Sequence, residues 1–503
     1  MRRSMNHLPA SAPKTSATAR FALTALAFGC LVASVPAAAQ TMHIETSGRG
    51  QALIFPYYTV RNGTVSLMSL VNQADQAKAL RLRVREAIGG RPVAELNLFL
   101  SPKDVWTAAF VPTTDGATIV SNDKSCTEPK ISGSSTGLVF SSAAFANDGP
   151  AYFPYIAADR TREGYVEVIE MASFDYGAPL GRDVTHSAGV PPCRITATAD
   201  AAAVQSTLSA PSGGIVGSMS FINLNDGLGV SYNAIAINGF WRTGPGAAVP
   251  TITAPVSPSA ANPPSAPDLT SGGNTTITVT DKGKTYVSTF ARSIDAVSAL
   301  FMNSAISNEY AYTADSTIST ALVILLPTKP YYVSGVLRQP FQNLYVPALG
   351  IGACDDYSYT SVDREEFVPL GNDDYSATPR PPTQFCNTAN VFGFTPNRTA
   401  FDSVRMQMLT TVQAQGNAVA VAGKEGGYLE MRATNPNALL IPTSSSVLTR
   451  SAATGELTWT PAAHTYYGLP MIGFALSVAK YNAGSPQQNF GNLNALTSRR
   501  RIE

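Results

Sequence analysis

The sequence predicts a mainly β fold: two immunoglobulin-like β-sandwich-type halves with long loops and few short helices. Three observations carry that prediction. Apolar and polar residues alternate with period two through most of the chain after Gln40, such runs recur at spacings of roughly 8–12 residues, and Asn-, Gly-, Pro- and Asp-rich turns separate them.

In the first half, residues 52–60 form an apolar, aromatic run, Asn62-Gly63 signals a turn, and residues 64–71 resume as a strand. Residues 80–85 alternate strictly: Leu80, Leu82 and Val84 take one face and Arg81, Arg83 and Arg85 the other. The arginine face reads as a solvated strand face that discourages edge pairing, with an anionic glycan as the alternative occupant. Residues 93–100 and 105–111 are further strands, with Trp106 a natural core residue. The Ser-, Gly- and Asp-rich stretch 113–149 reads as a long loop pinned by Cys126. Residues 165–171 are a strand, and residues 215–223 and 230–240 flank Asn225-Asp226-Gly227 as a hairpin.

Residues 244–273 hold seven prolines and almost no charge, a composition that assembles no core and reads as a linker or long loop. It separates an N-terminal domain, 40–243, from a C-terminal β-rich domain, 274–503. There, residues 275–280 and 285–290 flank a Lys282-Gly283 turn. Residues 293–306 have helical spacing, with Ser293 as cap and Ile294, Val297, Leu300 and Phe301 on one face. Residues 321–326, 428–431 and 471–478 are strands. Arg162-Glu163-Gly164-Tyr165-Val166-Glu167 is echoed at Glu425-Gly426-Gly427-Tyr428-Leu429-Glu430, and Phe55-Pro56-Tyr57-Tyr58 at Lys329-Pro330-Tyr331-Tyr332, as an old duplication would leave.

Residues 1–39 have the layout of a Sec signal peptide. A basic head (Arg2, Arg3, Lys14, Arg20) precedes the apolar run 21–35, and Ala37 and Ala39 stand at −3 and −1 of a cleavage site before Gln40. The run is short for a membrane span. Cys30 lacks the leucine-like residue a lipoprotein site needs at −3, and Arg2-Arg3 lies too far ahead for twin-arginine export. Cleavage leaves about 460 residues and four cysteines, Cys126, Cys193, Cys354 and Cys386. An even count in an exported chain implies disulfides, and the sequential pairing Cys126–Cys193 and Cys354–Cys386 closes one loop in each half. No two cysteines have zinc-knuckle spacing. The expected address is the periplasm, the outer cell surface or the medium.

Charged residues make up 14% of the chain, against about 25% in ordinary domains, and the net charge is +1. Nothing there neutralises phosphates, so nucleic acid is not an expected partner. No long apolar run follows the leader, so no transmembrane helix is expected. An outer-membrane barrel is disfavoured because the chain ends in Arg499-Arg500-Arg501-Ile502-Glu503, without a terminal aromatic residue.

Candidate chemistry is thin. Beyond the leader the only histidines are His43, His186 and His464, none spaced as a metal pair. Gly133-Ser134-Ser135-Thr136-Gly137 matches a nucleophile elbow in letters but follows a polar loop, not a buried strand. Between Cys354 and Cys386, Asp355, Asp356, Asp363, Glu365, Glu366, Asp373 and Asp374 would offer hard oxygen ligands to calcium, the one cofactor considered, although a solvated loop has the same composition. The Pro-aromatic clusters Tyr57-Tyr58, residues 152–155, Tyr331-Tyr332 and Tyr466-Tyr467 suit sugar stacking or a partner interface. Tyr57, Tyr58, Tyr331 and Tyr332 are therefore the ligand-binding candidates.

At Gln51-Ala52-Leu53-Ile54-Phe55-Pro56-Tyr57-Tyr58-Thr59-Val60, at residues 162–171, at Asn308-Glu309-Tyr310 and at residues 325–333 the chain resembles an uncharacterised family of exported proteobacterial proteins. The resemblance is spread over most of the chain beyond the leader. It implies an envelope or secreted address and carries over no catalytic residue. The expected function is a non-enzymatic envelope or cell-surface protein that acts by binding or assembly, with surface components, including glycan, as partners. The alternative is a secreted carbohydrate-active hydrolase or glycan-binding module that uses the acidic 354–386 loop.

Overall fold

The strictest alternation in the sequence, Leu80 to Arg85, lies near the centre of the largest sheet, and both of its faces are buried. The computed structural model describes residues 40–148, 157–194, 196–243, 247–259, 261–262, 264–313, 317–347, 352–364, 383–395, 418–420, 425–450, 457–480 and 489–503. Residues 1–39, the aromatic cluster at 152–155 and the acidic residues Glu365, Glu366, Asp373 and Asp374 lie outside them. Strand accounts for 49% of the structure and helix for 10%, about twice the usual share of strand, so the chain is mainly β.

The first half supplies β1 (His43–Ile44), β2 (Ala52–Thr59), β3 (Thr64–Asn72), β4 (Ala77–Glu86), β5 (Pro92–Leu100), β6 (Val105–Pro112), β7 (Ala117–Val120), β8 (Cys126–Glu128), β9 (Leu138–Val139), β10 (Glu163–Phe174), β11 (Ile215–Asn223), β12 (Leu228–Asn233) and β13 (Ile235–Asn238). They form a seven-stranded sheet, β1-β13-β2-β10-β4-β5-β8, and a six-stranded sheet, β12-β11-β3-β6-β7-β9. Leu53, Leu82 and Val168 of the first sheet and Trp106, Phe110 and Met219 of the second belong to one buried cluster, as in a sandwich. The hairpin expected around Asn225-Asp226-Gly227 joins β11 to β12. Residues 230–240 do not make one strand, however. The chain changes sheets at Ala234, and β13 pairs with β1 and β2.

The second half supplies β14 (Thr276–Asp281), β15 (Lys284–Thr289), the helix Ser293–Phe301, β16 (Met302–Asn303), β17 (Ala305–Ala311), β18 (Ile318–Leu325), β19 (Asp355–Asp363), β20 (Thr383–Phe385), β21 (Ala389–Thr395), β22 (Ala418–Ala420), β23 (Gly426–Ala433), β24 (Leu439–Leu440), β25 (Ser444–Arg450), β26 (Leu457–Pro461), β27 (Tyr466–Tyr467), β28 (Leu469–Pro470), β29 (Ile472–Lys480), β30 (Asn489–Ala495), β31 (Thr497–Arg499) and β32 (Arg501–Ile502). Two five-stranded sheets, β20-β19-β23-β17-β31 and β22-β21-β18-β29-β30, share this half with a four-stranded sheet, β14-β15-β25-β26. The helix buries the predicted Ile294, Val297, Leu300 and Phe301 but stops at Phe301, because β16 and β17 claim the following residues for sheet pairing. Arg292, not Ser293, occupies the N-cap position. Among the described residues no helix is long and apolar enough to cross a membrane.

Residues 40–503 cluster as one compact unit. Phe221, against which Tyr57 packs, and Tyr232 meet Phe474 of β29, with the Tyr232 and Phe474 ring centroids 4.8 Å apart. The β4–β5 turn also bonds across the halves: the Ala389 and Thr388 amides donate to Ala87 and Ile88 carbonyls. The proline-rich stretch 244–273 forms neither helix nor strand where described, and its later part straps the outer face of β4 and β5. The two disulfides are Cys126–Cys193 and Cys354–Cys386, the expected sequential pairing.

The arginine face departs most from expectation. Arg81, Arg83 and Arg85 are at most 3% exposed. Arg81 Nε donates to Asn97 Oδ1 (2.9 Å) and Arg83 Nε to Glu95 Oε1 (2.7 Å), while Arg85 Nε lies 2.9 Å from Glu167 Oε1. The strap supplies the missing acceptors: the Thr253 carbonyl takes Arg81 Nη2 (2.6 Å), and the Ser265 and Pro267 carbonyls take Arg83. Burial costs a guanidinium several kcal/mol unless its donors are matched. Cross-strand carboxylates and strap carbonyls match those of Arg81 and Arg83. Arg85 bonds the Gly90 carbonyl and the Tyr331 hydroxyl and keeps its Nε beside Glu167 as an ion pair without a hydrogen bond. No face remains for solvent or for a glycan. The echo between residues 55–58 and 329–332 also lacks a structural counterpart: the first lies in β2 and the second runs into a helical turn, Pro330–Val333.

Candidate functional site

The sequence-selected tyrosines are largely core residues. Tyr57, Tyr58 and Tyr332 are fully buried. Tyr57 donates to Glu163 Oε2 (2.5 Å), Tyr58 to the Thr161 carbonyl (2.8 Å) and Tyr332 to Asp295 Oδ1 (2.7 Å). Burial pushes all three phenols well above their ordinary range. Tyr331 is half-buried and accepts Arg85 Nη2 at 2.5 Å. The fold encloses Tyr57, Tyr58 and Tyr332, so none of these three presents a face to a sugar.

The acidic loop is likewise committed where it is described. Asp355 is fully buried, with Oδ2 3.0 Å from Lys329 Nζ and Oδ1 accepting the Gln342 amide. Burial raises the Asp355 carboxyl and lowers the Lys329 ammonium. Asp356 Oδ1 accepts Gln384 Nε2 at 2.7 Å. Asp363 ends β19 opposite Gly427. Glu365 and Glu366 lie outside the described residues. Among the described residues no three His, Cys, Asp or Glu side chains gather as a cation site. The Gly133–Gly137 motif lies in turns that lead into β9, not into a helix, so the strand–turn–helix of a nucleophile elbow is not formed.

A groove of about 460 Å³ opens at one end of the first sandwich, with Glu45, Ser69, Gln73, Ser218 and Asn233 among its lining residues. Its carboxylate, Glu45, is held below the usual range by the Ser47 amide. Hydroxyl and amide groups dominate the polar lining, which suits weak hydrogen bonding more than acid–base chemistry.

An exposed strand that carries two large apolar residues lies in the four-stranded sheet. Every residue of β26 is exposed, with Leu457 at 53% and Trp459 at 50%. The sheet's inner face is anchored beneath by a buried polar chain. His464 Nδ1 lies 3.2 Å from the Ala462 carbonyl, which only accepts, so this nitrogen carries the proton. His464 Nε2 then accepts from Ser288 Oγ at 2.7 Å, and Ser288 Oγ accepts from Tyr466 at 2.7 Å. Burial lowers the His464 imidazole and raises the Tyr466 phenol to about 12. A serine–histidine contact of this kind is also the first half of a nucleophilic site, but Ser288 is wholly buried under the sheet and no substrate carbonyl reaches it. Arg500 donates to the Ala299, Leu300 and Met302 carbonyls and so caps the C-terminus of the helix that packs on β14.

The pairing register puts on the outer face Thr276, Thr278 and Thr280 of β14, Thr285, Val287 and Thr289 of β15, Ser444, Ser446 and Leu448 of β25, and Leu457, Trp459 and Pro461 of β26. The β14 edge is occupied at its start: the Met42 amide donates to the Thr276 carbonyl (2.8 Å) and the Thr278 amide to the Met42 carbonyl (3.0 Å). The β26 edge has no strand paired to it among the described residues. Sequence reasoning passed over this strand. Its only signal was the alternation Leu457-Thr458-Trp459-Thr460-Pro461, and a tryptophan in such a pattern usually faces a core. Comparison with protein families, with curated proteins and with solved structures finds no match for this chain.

Proposed function

We propose that this protein is an exported, non-enzymatic component of the cell envelope or cell surface that acts by binding or assembly on a two-part β scaffold. The observation that carries this reading is the β26 edge, an uncharged strand exposed along its length that displays Leu457 and Trp459. Exposed sheet edges are surfaces on which another chain adds. Export is supported by the leader-like residues 1–39 and by two disulfides, which persist in oxidising compartments. Sandwich halves of immunoglobulin-like type would suit a binding scaffold, with the specificity residing in local sites. The resemblance to exported proteobacterial proteins points to the same address.

Protease treatment of intact cells, with a periplasmic marker as control, tests the reading. Cleavage on intact cells puts the protein at the surface and favours adhesion or assembly. Protection until the outer membrane is opened makes it periplasmic. Recovery of an uncleaved precursor in the cytoplasm, with its cysteines reduced, would refute the proposal.

A further inference from the structure

We infer that β26 is a self-complementary docking edge through which two copies of this chain join as a two-fold dimer. The inference deepens the assembly reading above by naming the partner. The backbone pairing of the four-stranded sheet decides which groups face outward. In β25 and β26 the residues pair Ser446 with Pro461, Val447 with Thr460, Leu448 with Trp459, Thr449 with Thr458 and Arg450 with Leu457. The Ala462 amide donates to the Ser445 carbonyl, one step further in the same register. Hydrogen-bonded and non-bonded pairs alternate in antiparallel strands, so Thr458 and Thr460 turn their backbone groups toward β25. Leu457, Trp459 and Pro461 turn theirs to the open edge.

That edge matches itself. With Trp459 set opposite Trp459 of a second copy, each tryptophan amide donates to the other's carbonyl, and each Leu457 amide donates to the facing Pro461 carbonyl. Pro461 has no amide hydrogen, so all the outward donors of both strands are satisfied. The outer row Leu457, Trp459, Pro461 meets the same row reversed, apolar on apolar, while Thr458 faces Thr460 on the other side. No charge in β26 opposes its copy. Because Met42 already bonds Thr276 and Thr278 along the β14 edge, the joined eight-stranded sheet offers no second edge of this kind among the described residues. Association therefore stops at two, as an isologous contact should. A five-residue edge buries less than the ~1,200 Å² of a standard interface, so the dimer is a weak, concentration-driven one.

Analytical ultracentrifugation of the purified protein, with tryptophan emission read on the same samples, tests this. The expected mass rises from one copy toward two over roughly 10 µM to 1 mM, the range of a weak interface. Trp106 and Trp241 are buried, so Trp459 dominates any concentration-dependent blue shift. Trp459→Lys should abolish both changes while circular dichroism stays that of the parent, since the side chain stands on an exposed edge. Trp459→Cys supplies a readout independent of mass. A bonded pair sets the two Cα atoms about 5.5 Å apart, within disulfide range, so an oxidised covalent dimer should form. Thr460→Cys, which faces Thr458 and not itself, should yield at least tenfold less. A protein that stays one copy throughout, grows beyond two, or cross-links equally from both cysteine variants overturns the inference. The cell-surface test above reads location only, so either proposal fails without the other.

Discussion

Replacing Glu95 by glutamine perturbs the buried charge ladder at its most connected point. The Glu95 carboxylate accepts Arg83 Nε at 2.7 Å, Arg81 Nη1 at 3.3 Å and Ser265 Oγ at 2.5 Å, the last from the strap that covers the sheet. Burial opposes its charge, but Arg83 and then Ser265 outweigh burial and hold the carboxyl below its ordinary 4.5. An amide in that place leaves Arg81, Arg83 and Arg85 facing Glu167 alone, and breaking a buried pair from one side costs about 3–5 kcal/mol. The compact unit spans Gln40–Glu503. At about 2.1 cal/mol/K of unfolding entropy per residue, 1 kcal/mol shifts Tm by roughly 1 °C in a unit of that length. Calorimetry should therefore show Tm falling by roughly 3–5 °C in Glu95→Gln, with faster proteolysis between residues 253 and 267. Glu167→Gln should cost less, because burial already pushes the Glu167 carboxyl upward despite Arg85 and Arg83. The lowered Glu95 value also fixes a sign: its contribution is present above pH 4.5 and is lost as pH falls through the folded value. The gap between parent and Glu95→Gln should narrow in acid. A Tm change under about 1 °C in Glu95→Gln, or a larger loss in Glu167→Gln, would refute the claim that the ladder is dry and paired.

Three further outcomes are expected. Removing the Cys126–Cys193 bridge with paired alanines frees a 67-residue separation and should lower stability by about 4 kcal/mol on loop-entropy grounds, measured in urea against the parent under oxidising conditions. Gly164→Ala should abolish soluble folded protein, since a Cβ there would stand 1.8 Å from the Arg85 carbonyl oxygen in the central pairing of β10 with β4; normal yield and Tm would contradict the register. The His464 imidazole lies below its ordinary 6.5 when folded, so the unfolded chain binds its proton first. Stability should fall as pH drops below 6.5, and His464→Gln should flatten that slope in a pH series of melting curves.

Period-two patterning made the strands legible because each sheet has one face that must be apolar whatever lies elsewhere. Residues 80–85, 93–100 and 215–223 were placed correctly on that basis, as was the buried face of the helix beginning at Ser293. Cysteine parity and spacing likewise pointed to the two bridges. The helix end was misjudged because Met302 to Ala311 is apolar enough for either state, and only pairing with β28 and β23 decides for strand.

The site was not legible for the same physical reason that the arginine face was misread. Alternation says which side chains share a face, but it cannot say what covers the face. The cover over Arg81 comes from Thr253, 172 residues away, and the Arg85 partner Tyr331 lies 246 residues away. Those contacts bury charges that composition alone would leave in water. Conversely, Tyr57 and Tyr332 look like ligand-binding rings until partners across the fold enclose them, and Trp459 looks like core but stays half exposed. The sequence by itself determined the class of fold, its paired cysteines and the local two-sidedness of its strands. Tertiary structure alone decided which of those sides are wet, because burial is a property of what the distant chain brings over a surface.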